Sequence, residues 1–114
     1  MKMSGNIIDL YAKRIYGGEI TIEEGKIEKI ESAENVPDIY IMPGMVDAHV
    51  HIESSMLTPS HFAVAVVKHG TIAVVSDPHE IANVLGIKGV NFMLENAGTV
   101  PVNNVRCTIM CPRN

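Results

Sequence analysis

The sequence of 114 residues has no tryptophan, only two cysteines and no excess of positive charge. Cys107 and Cys111 give no sign of a disulfide framework, so we expect a reducing cytoplasm. As a closely spaced pair they are a weak metal signal, and two strand cysteines are the favoured interpretation. The formal net charge of −4 leaves no basic stripe for nucleic acid or lipid headgroups. We therefore expect no nucleic-acid partner.

Long apolar runs are also missing. No stretch approaches the roughly 20 apolar residues of a membrane span, and the N-terminus lacks the apolar core of a signal peptide. The chain is nevertheless 46% hydrophobic, which is typical of a globular protein rather than a disordered one. The length suits one small domain with a modest core. We expect a cytoplasmic protein without membrane contact.

The first part of the chain has the sequence pattern of short strands separated by tight turns. Its isoleucines recur as in a two-stranded unit with one buried face, while its acids and lysines form a solvated face. Gly17–Gly18 and Glu24–Gly25 are predicted to be hairpin turns. We expect residues 1–42 to be a segment of a small β-sandwich subdomain. The predicted strands cover residues 6–10, 15–16, 19–22, 26–30 and 39–42.

After this subdomain the pattern changes to strands alternating with helices. Thr58 and Pro59 predict a helix start, with a hydroxyl at the N-cap and proline at the first helical position. A later helical stretch is interrupted near Gly86 and Gly89. The alternation predicts an α/β fold with a parallel sheet over residues 43–114. The predicted elements are strands at 43–53, 71–76 and 105–111 and helices at 60–68 and 81–96.

The first of these strands, PGMVDAHVHIE at residues 43–53, carries the most informative pattern. A strand points alternate side chains to opposite faces, which makes one face polar and the other apolar. Two imidazoles two residues apart converge above one face, and that geometry can hold a metal ion. Carboxylates on either side can orient the imidazoles or bind the ion. The polar face carries Asp47, His49, His51 and Glu53, and the apolar face carries Val46, Ala48, Val50 and Ile52.

An alternative is that the two histidines of this strand are half-exposed and bind nothing, which is the usual meaning of an isolated His-x-His pair. The distribution of histidine favours a metal, because every histidine of the chain lies between positions 49 and 79. A polar row is also expensive to bury without a partner. The five histidines are His49, His51, His61, His69 and His79.

A second polar cluster, Asp77-Pro78-His79-Glu80, follows the predicted strand at 71–76. Parallel sheets place their functional sites at the carboxyl ends of their strands, and both polar clusters fall at such ends. Asp77, His79 and Glu80 can orient ligands, contact a substrate or hold another ion. They can equally be a capped helix start, with Asp77 followed three residues later by Glu80. A zinc-protease helix is excluded because Asn83 occupies the position of its second histidine.

Several strings in this part of the chain resemble a known family. PGMVDAHVH at residues 43–51 resembles the first barrel strand of the amidohydrolase superfamily, whose members bind metal in a (β/α)8 barrel. HIESSMLTP at residues 51–59 and DPHEIANVLG at residues 77–86 together resemble its adenine deaminase family. The resemblance runs from about residue 6 to about residue 100.

This resemblance implies a metal-dependent hydrolase that converts adenine into hypoxanthine and ammonia with a hydroxide held by a binuclear centre. The metals are manganese or iron, with zinc as a further option. It implies that His49 and His51 are metal ligands, and it assigns no certain catalytic residue in this chain. Asp47, Glu53, Asp77, His79 and Glu80 are candidates for orienting ligands or contacting the purine.

The family also places the remaining ligands on later barrel strands. We therefore expect residues 43–114 to be about two βα units of an incomplete barrel in an N-terminal fragment that is inactive alone and forms a homo-oligomer. Two alternatives stay open. One is another amidohydrolase acting on cyclic amides, similar to dihydroorotase or hydantoinase. The other is a non-catalytic oligomeric fragment or metal-binding module.

Overall fold

The computed structural model describes residues 1–100 and a strand at residues 106–109. The chain divides into two compact units, Met1–Pro43 and a second that begins at Gly44. The described residues form two β-sheets and three α-helices, so the predicted mixed α/β class is confirmed. Among these residues no helix has the length and apolarity of a membrane-spanning one.

The first unit is a four-stranded sheet in the order β3-β2-β1-β4, antiparallel except for the parallel pair of β1 and β4. The turn from β1 to β2 is closed by Asp9, whose Oδ1 accepts hydrogen bonds from the backbone N–H groups of Tyr11 and Ala12. The predicted turn at Glu24–Gly25 is confirmed, since both residues have positive φ. The strands are β1 (Lys2–Asp9), β2 (Arg14–Glu23), β3 (Lys26–Ser32) and β4 (Tyr40–Ile41).

The predicted turn at Gly17–Gly18 is wrong, because both glycines lie inside β2 and are paired with β1. A Cβ atom at Gly17 would lie 2.5 Å from the carbonyl oxygen of Ala33. A Cβ atom at Gly18 would collide with the side chain of Ile7. These glycines therefore make room for close neighbours, and the chain does not reverse there.

The second unit is a parallel three-stranded sheet in the order β5-β6-β7. Parallel neighbours need crossover connections, and helices provide them here. One helix, α1, connects β5 to β6, and two helices, α2 and α3, follow β6. The elements are β5 (Met45–Val50), a 3₁₀ turn (Glu53–Ser55), α1 (Pro59–Val67), β6 (Thr71–Ser76), α2 (His79–Leu85), α3 (Ile87–Ala97) and β7 (Arg106–Ile109).

Two expectations for β5 need correction. The strand ends at Val50, so Glu53 does not continue its polar face but lies in the 3₁₀ turn. The apolar face is also not packed along its length: Val46 is 61% exposed and Ala48 is exposed, whereas Ile52 is buried. The buried core of the second unit contacts this strand at its last residue, Val50, so the apolar side chains nearer the start of the strand are not covered by that core.

The helix boundaries follow local chemistry. Helix α1 begins at Pro59 with Thr58 at the N-cap position, as predicted. The break between α2 and α3 falls at Gly86, whose φ of 61° suits glycine. Gly89 lies inside α3, where a Cβ atom would lie 2.8 Å from the carbonyl oxygen of Ile81. Its missing side chain therefore lets α2 and α3 approach closely. Of the cysteines, Cys107 lies in β7 and Cys111 lies outside the described residues.

The core of the second unit lies between the sheet and the helices. Ile52, Val74 and Met93 form its buried centre, with exposures of 1%, 4% and 3%. Ile52 comes directly after His51, so the anchoring of this side chain fixes the backbone that carries the histidine. Three half-buried side chains pack around the centre: Val50, Phe62 and Ile81.

Replacing Ile52 with alanine is expected to lower the free energy of unfolding by about 2–5 kcal/mol, because it leaves a cavity in this centre. Urea unfolding followed by circular dichroism measures the change. Ile87→Ala is the matched control, since Ile87 is 71% exposed and should cost much less. Equal losses from the two variants would contradict the assignment of Ile52 to the core.

Candidate metal centre

The parallel pairing of β5 and β6 brings two distant polar segments together. Val50 is in register with Ser76, and the backbone N–H of Asp77 donates to the carbonyl oxygen of Val50 at 3.1 Å. His51 and Asp77 therefore leave the carboxyl ends of adjacent strands side by side. This is the edge at which parallel sheets place functional side chains.

The imidazoles of His49 and His51 converge at this edge. Their Nε2 atoms lie 3.2 Å apart, and their rings meet edge to face. The other ring nitrogen of His51, Nδ1, lies 2.8 Å from the carbonyl oxygen of Asp77. Because a carbonyl oxygen only accepts, Nδ1 of His51 carries the proton and the neutral ring keeps its lone pair on Nε2. Two nitrogens this close need either a proton or a cation between them.

The carboxylate of Asp77 lies beside this pair and is only partly satisfied. Its Oδ2 lies 3.3 Å from Nδ1 of His79. Its Oδ1 is buried and has no hydrogen-bond partner among the described residues. A buried carboxylate oxygen without a donor is costly, and a nearby cation would remove that cost.

The segment after Asp77 places two further candidate ligands next to His51. The ring of His79 stands edge to face on that of His51, with centroids 4.6 Å apart. Ser54, in the 3₁₀ turn, donates a hydrogen bond from Oγ to Oε1 of Glu80 at 2.5 Å. The alternative of a capped helix start at Asp77 is not what the structure shows, because Pro78 occupies the N-cap of α2 and no side chain caps it.

The candidate ligands form two overlapping groups. In each group, the nitrogen or oxygen atoms that could bind a metal lie within 4.8 Å of one another. Imidazole nitrogen and carboxylate oxygen are donors that suit zinc, iron and manganese. The residues therefore fit a divalent cation. One group is His49, His51 and Asp77, and the other is His51, His79 and Glu80.

Two of the predicted site residues belong to neither group. Asp47 turns back on its own strand, where Oδ1 accepts from the backbone N–H of His49 at 3.1 Å. Glu53 reaches α2, where Oε1 accepts from the backbone N–H of Ile81 at 3.4 Å. Its Oε2 is buried without a partner among the described residues. Glu53 thus fastens the 3₁₀ turn to α2.

The clustering of histidine in the sequence is only partly a clustering in space. His49, His51 and His79 come together, whereas His61 belongs to neither group of candidate ligands within the described residues. Nδ1 of His61 lies 2.7 Å from the hydroxyl of Thr58. The same hydroxyl makes no capping hydrogen bond to α1, so the predicted N-cap position of Thr58 is confirmed but its capping by the hydroxyl is wrong. His61 is accordingly a helix-surface residue.

Sequence reasoning missed two contributors. Ser54 holds Glu80 across 26 positions, and a backbone carbonyl fixes the tautomer of His51. No side-chain pattern could reveal a backbone acceptor. The string around Ser54 indicates a family resemblance but not its contact with Glu80.

Comparison with known proteins places this chain in a family. A model of the amidohydrolase family matches residues 40–110, which is more than half of the chain. The chain belongs to the amidohydrolase family.

Curated relatives named adenine deaminase are similar to this chain over most of its length. The protein from Sulfurovum sp. (strain NBC37-1) is 54% identical over 101 residues, which are 89% of this chain and 19% of the relative. That from Borreliella afzelii (strain PKo) is 56% identical over 84% of this chain and 18% of the relative. That from Methanosarcina mazei is 55% identical over 89% of this chain and 18% of the relative. The chain thus spans about a fifth of the length of the curated relatives it matches.

Proposed function

We propose that this amidohydrolase chain forms part of the metal site of an enzyme that hydrolyses adenine to hypoxanthine and ammonia. One observation carries the proposal: Nε2 of His49 and Nε2 of His51 converge at 3.2 Å, with Nδ1 of His51 engaged by a carbonyl oxygen. A histidine pair arranged in this way is ready to bind a cation. The similarity to proteins named adenine deaminase supports the choice of substrate.

In this proposal His49 and His51 hold a divalent cation through Nε2. A bound cation supplies a strong nucleophile at neutral pH, because it lowers the pKa of water to about 7. Manganese or iron in a binuclear centre is the form that we favour, with zinc as an alternative. Asp77 holds the ring of His51 through its backbone carbonyl, and Asp47 steadies the strand by accepting from the N–H of His49.

The fold proposal follows from the same family membership. Residues 43–114, which form the parallel sheet and its helices, are the beginning of a metal-dependent (β/α)8 barrel. The strands of residues 1–42 belong to a β-sandwich subdomain. A barrel of this kind takes about 250 residues.

The proposed substrate is a small purine rather than nucleic acid, and the proposed location is the cytoplasm.

A direct test compares adenine turnover by an enzyme of the relatives' length that carries this segment with turnover by the purified 114-residue chain. We expect the longer enzyme to release ammonia and hypoxanthine from adenine. The chain alone should release none, because two imidazoles leave most of the coordination of a cation to water.

Dihydroorotate and hydantoin serve as comparison substrates in the same assay. Hydrolysis of either cyclic amide without deamination of adenine would replace the proposed function by that of a cyclic amidohydrolase. Ammonia release that scales with the concentration of the short chain, and survives removal of contaminating enzymes, would contradict its predicted inactivity.

A further inference from the structure

We propose that His79 and Glu80 bind a divalent cation of their own, outside the binuclear centre to which His49 and His51 are assigned. Candidate ligand atoms of His51, His79 and Glu80 lie within 4.8 Å of one another. The inference goes beyond the proposed reaction. It depends on the proposed His49–His51 site in one respect: the total number of ions bound by the chain includes the ion at that site.

The orientation of His79 is that of a metal ligand. Its Nδ1 lies 3.3 Å from Oδ2 of Asp77, and a carboxylate accepts a hydrogen bond from a protonated ring nitrogen. The neutral ring then keeps its lone pair on Nε2. Carboxylate–imidazole pairs of this kind fix the tautomer and the ring plane of metal-binding histidines. The side chain of His79 is 49% exposed, so a cation can reach it from solvent.

Glu80 is oriented in a comparable way. The hydroxyl of Ser54 donates to Oε1 and holds the carboxylate from the 3₁₀ turn. A carboxylate has about four lone-pair positions on its two oxygens, so one hydrogen bond leaves room for a cation. Both candidate ligands are therefore held by a residue that does not itself bind the ion. Such outer contacts accompany ligands in metal sites.

His51 limits how the two ions are bound. Its Nδ1 is engaged by the carbonyl oxygen of Asp77, which leaves a single lone pair on Nε2. That nitrogen faces Nε2 of His49 at 3.2 Å. The second ion is therefore bound by His79 and Glu80, with water in its remaining positions, while His51 lies beside it. One nitrogen and one carboxylate suit zinc, manganese or iron.

Titration of the purified chain with Zn²⁺ at fixed pH, followed by calorimetry, tests the proposal. We expect two equivalents bound by the unaltered chain and one by His79→Ala. Glu80→Gln is the conservative variant, because its amide oxygen still accepts from Ser54, and it should also lose one equivalent. His49→Ala should lose the other equivalent. His61→Ala is the matched control and should keep both.

The variants separate the two sites. If His79→Ala and Glu80→Gln both keep two equivalents, the second site does not exist. If the unaltered chain binds one equivalent that disappears only with His49→Ala, this inference fails while the His49–His51 site stands. If the ion disappears only with His79→Ala and Glu80→Gln, the second site stands and the His49–His51 assignment fails. Circular dichroism checks that each variant is folded.

Discussion

Replacing His51 with alanine is expected to remove the cation from the His49–His51 site and nearly all deamination in an enzyme of the relatives' length. In this variant, Nε2 of His49 near the C-terminal end of β5 is the only nitrogen of the pair that remains to bind the cation. Loss of even an outer contact to a metal ligand typically costs 10–100-fold in affinity or activity, so loss of the ligand should exceed about 100-fold. Metal content by elemental analysis and ammonia release from adenine measure the two effects.

The fold should survive this substitution. The variant leaves the carbonyl oxygen of Asp77 without its histidine donor, a cost of about 1–3 kcal/mol in a part-buried site. Val50→Ile is the matched control one position earlier, where a half-buried side chain gains one methylene. It should leave metal content unchanged. A His51→Ala enzyme with full metal occupancy and normal turnover would show that His51 is not a ligand.

The histidine pair was predictable because its geometry is local. Side chains two positions apart on a strand share a face, and this alternation extends to His51, one residue beyond the end of β5, where its Nε2 lies 3.2 Å from that of His49. The neighbouring segment was predictable from topology. Two parallel strands with polar carboxyl ends place Asp77 and His79 next to the first strand, whatever the detail of the connection.

Other features depend on contacts that no local pattern encodes. Gly17 and Gly18 resemble a turn, yet the carbonyl oxygen of Ala33 and the side chain of Ile7 approach them inside β2. Glu53 continues the alternation of β5 in the sequence, yet the chain enters a 3₁₀ turn after Val50 and Glu53 accepts from α2. In both cases tertiary packing overrides the local preference.

The purified chain is expected to associate into a homo-oligomer. Within the described residues, β5 pairs with β6 alone and β7 pairs with β6 alone, so each has one free edge. Unpaired strand edges invite pairing with another chain. The second unit also exposes apolar side chains that favour association. Those with the largest exposed fractions are Met56 at 94%, Val84 at 78%, Ile87 at 71% and Val46 at 61%.

Light scattering and sedimentation at micromolar concentration measure this association, and the expected mass is at least twice 12.4 kDa. Val46→Lys places a charge on the edge strand β5 and should shift the population towards monomer, because lysine on an edge opposes pairing. Asn83→Lys adds the same charge on an exposed position of α2 and should leave the mass nearly unchanged if strand edges form the contact. Equal dissociation in both variants would mean that net charge controls association. A monomer whose β5 and β6 amides are protected from hydrogen exchange would show that the chain covers its own edges, and pairing through β5 would then be wrong.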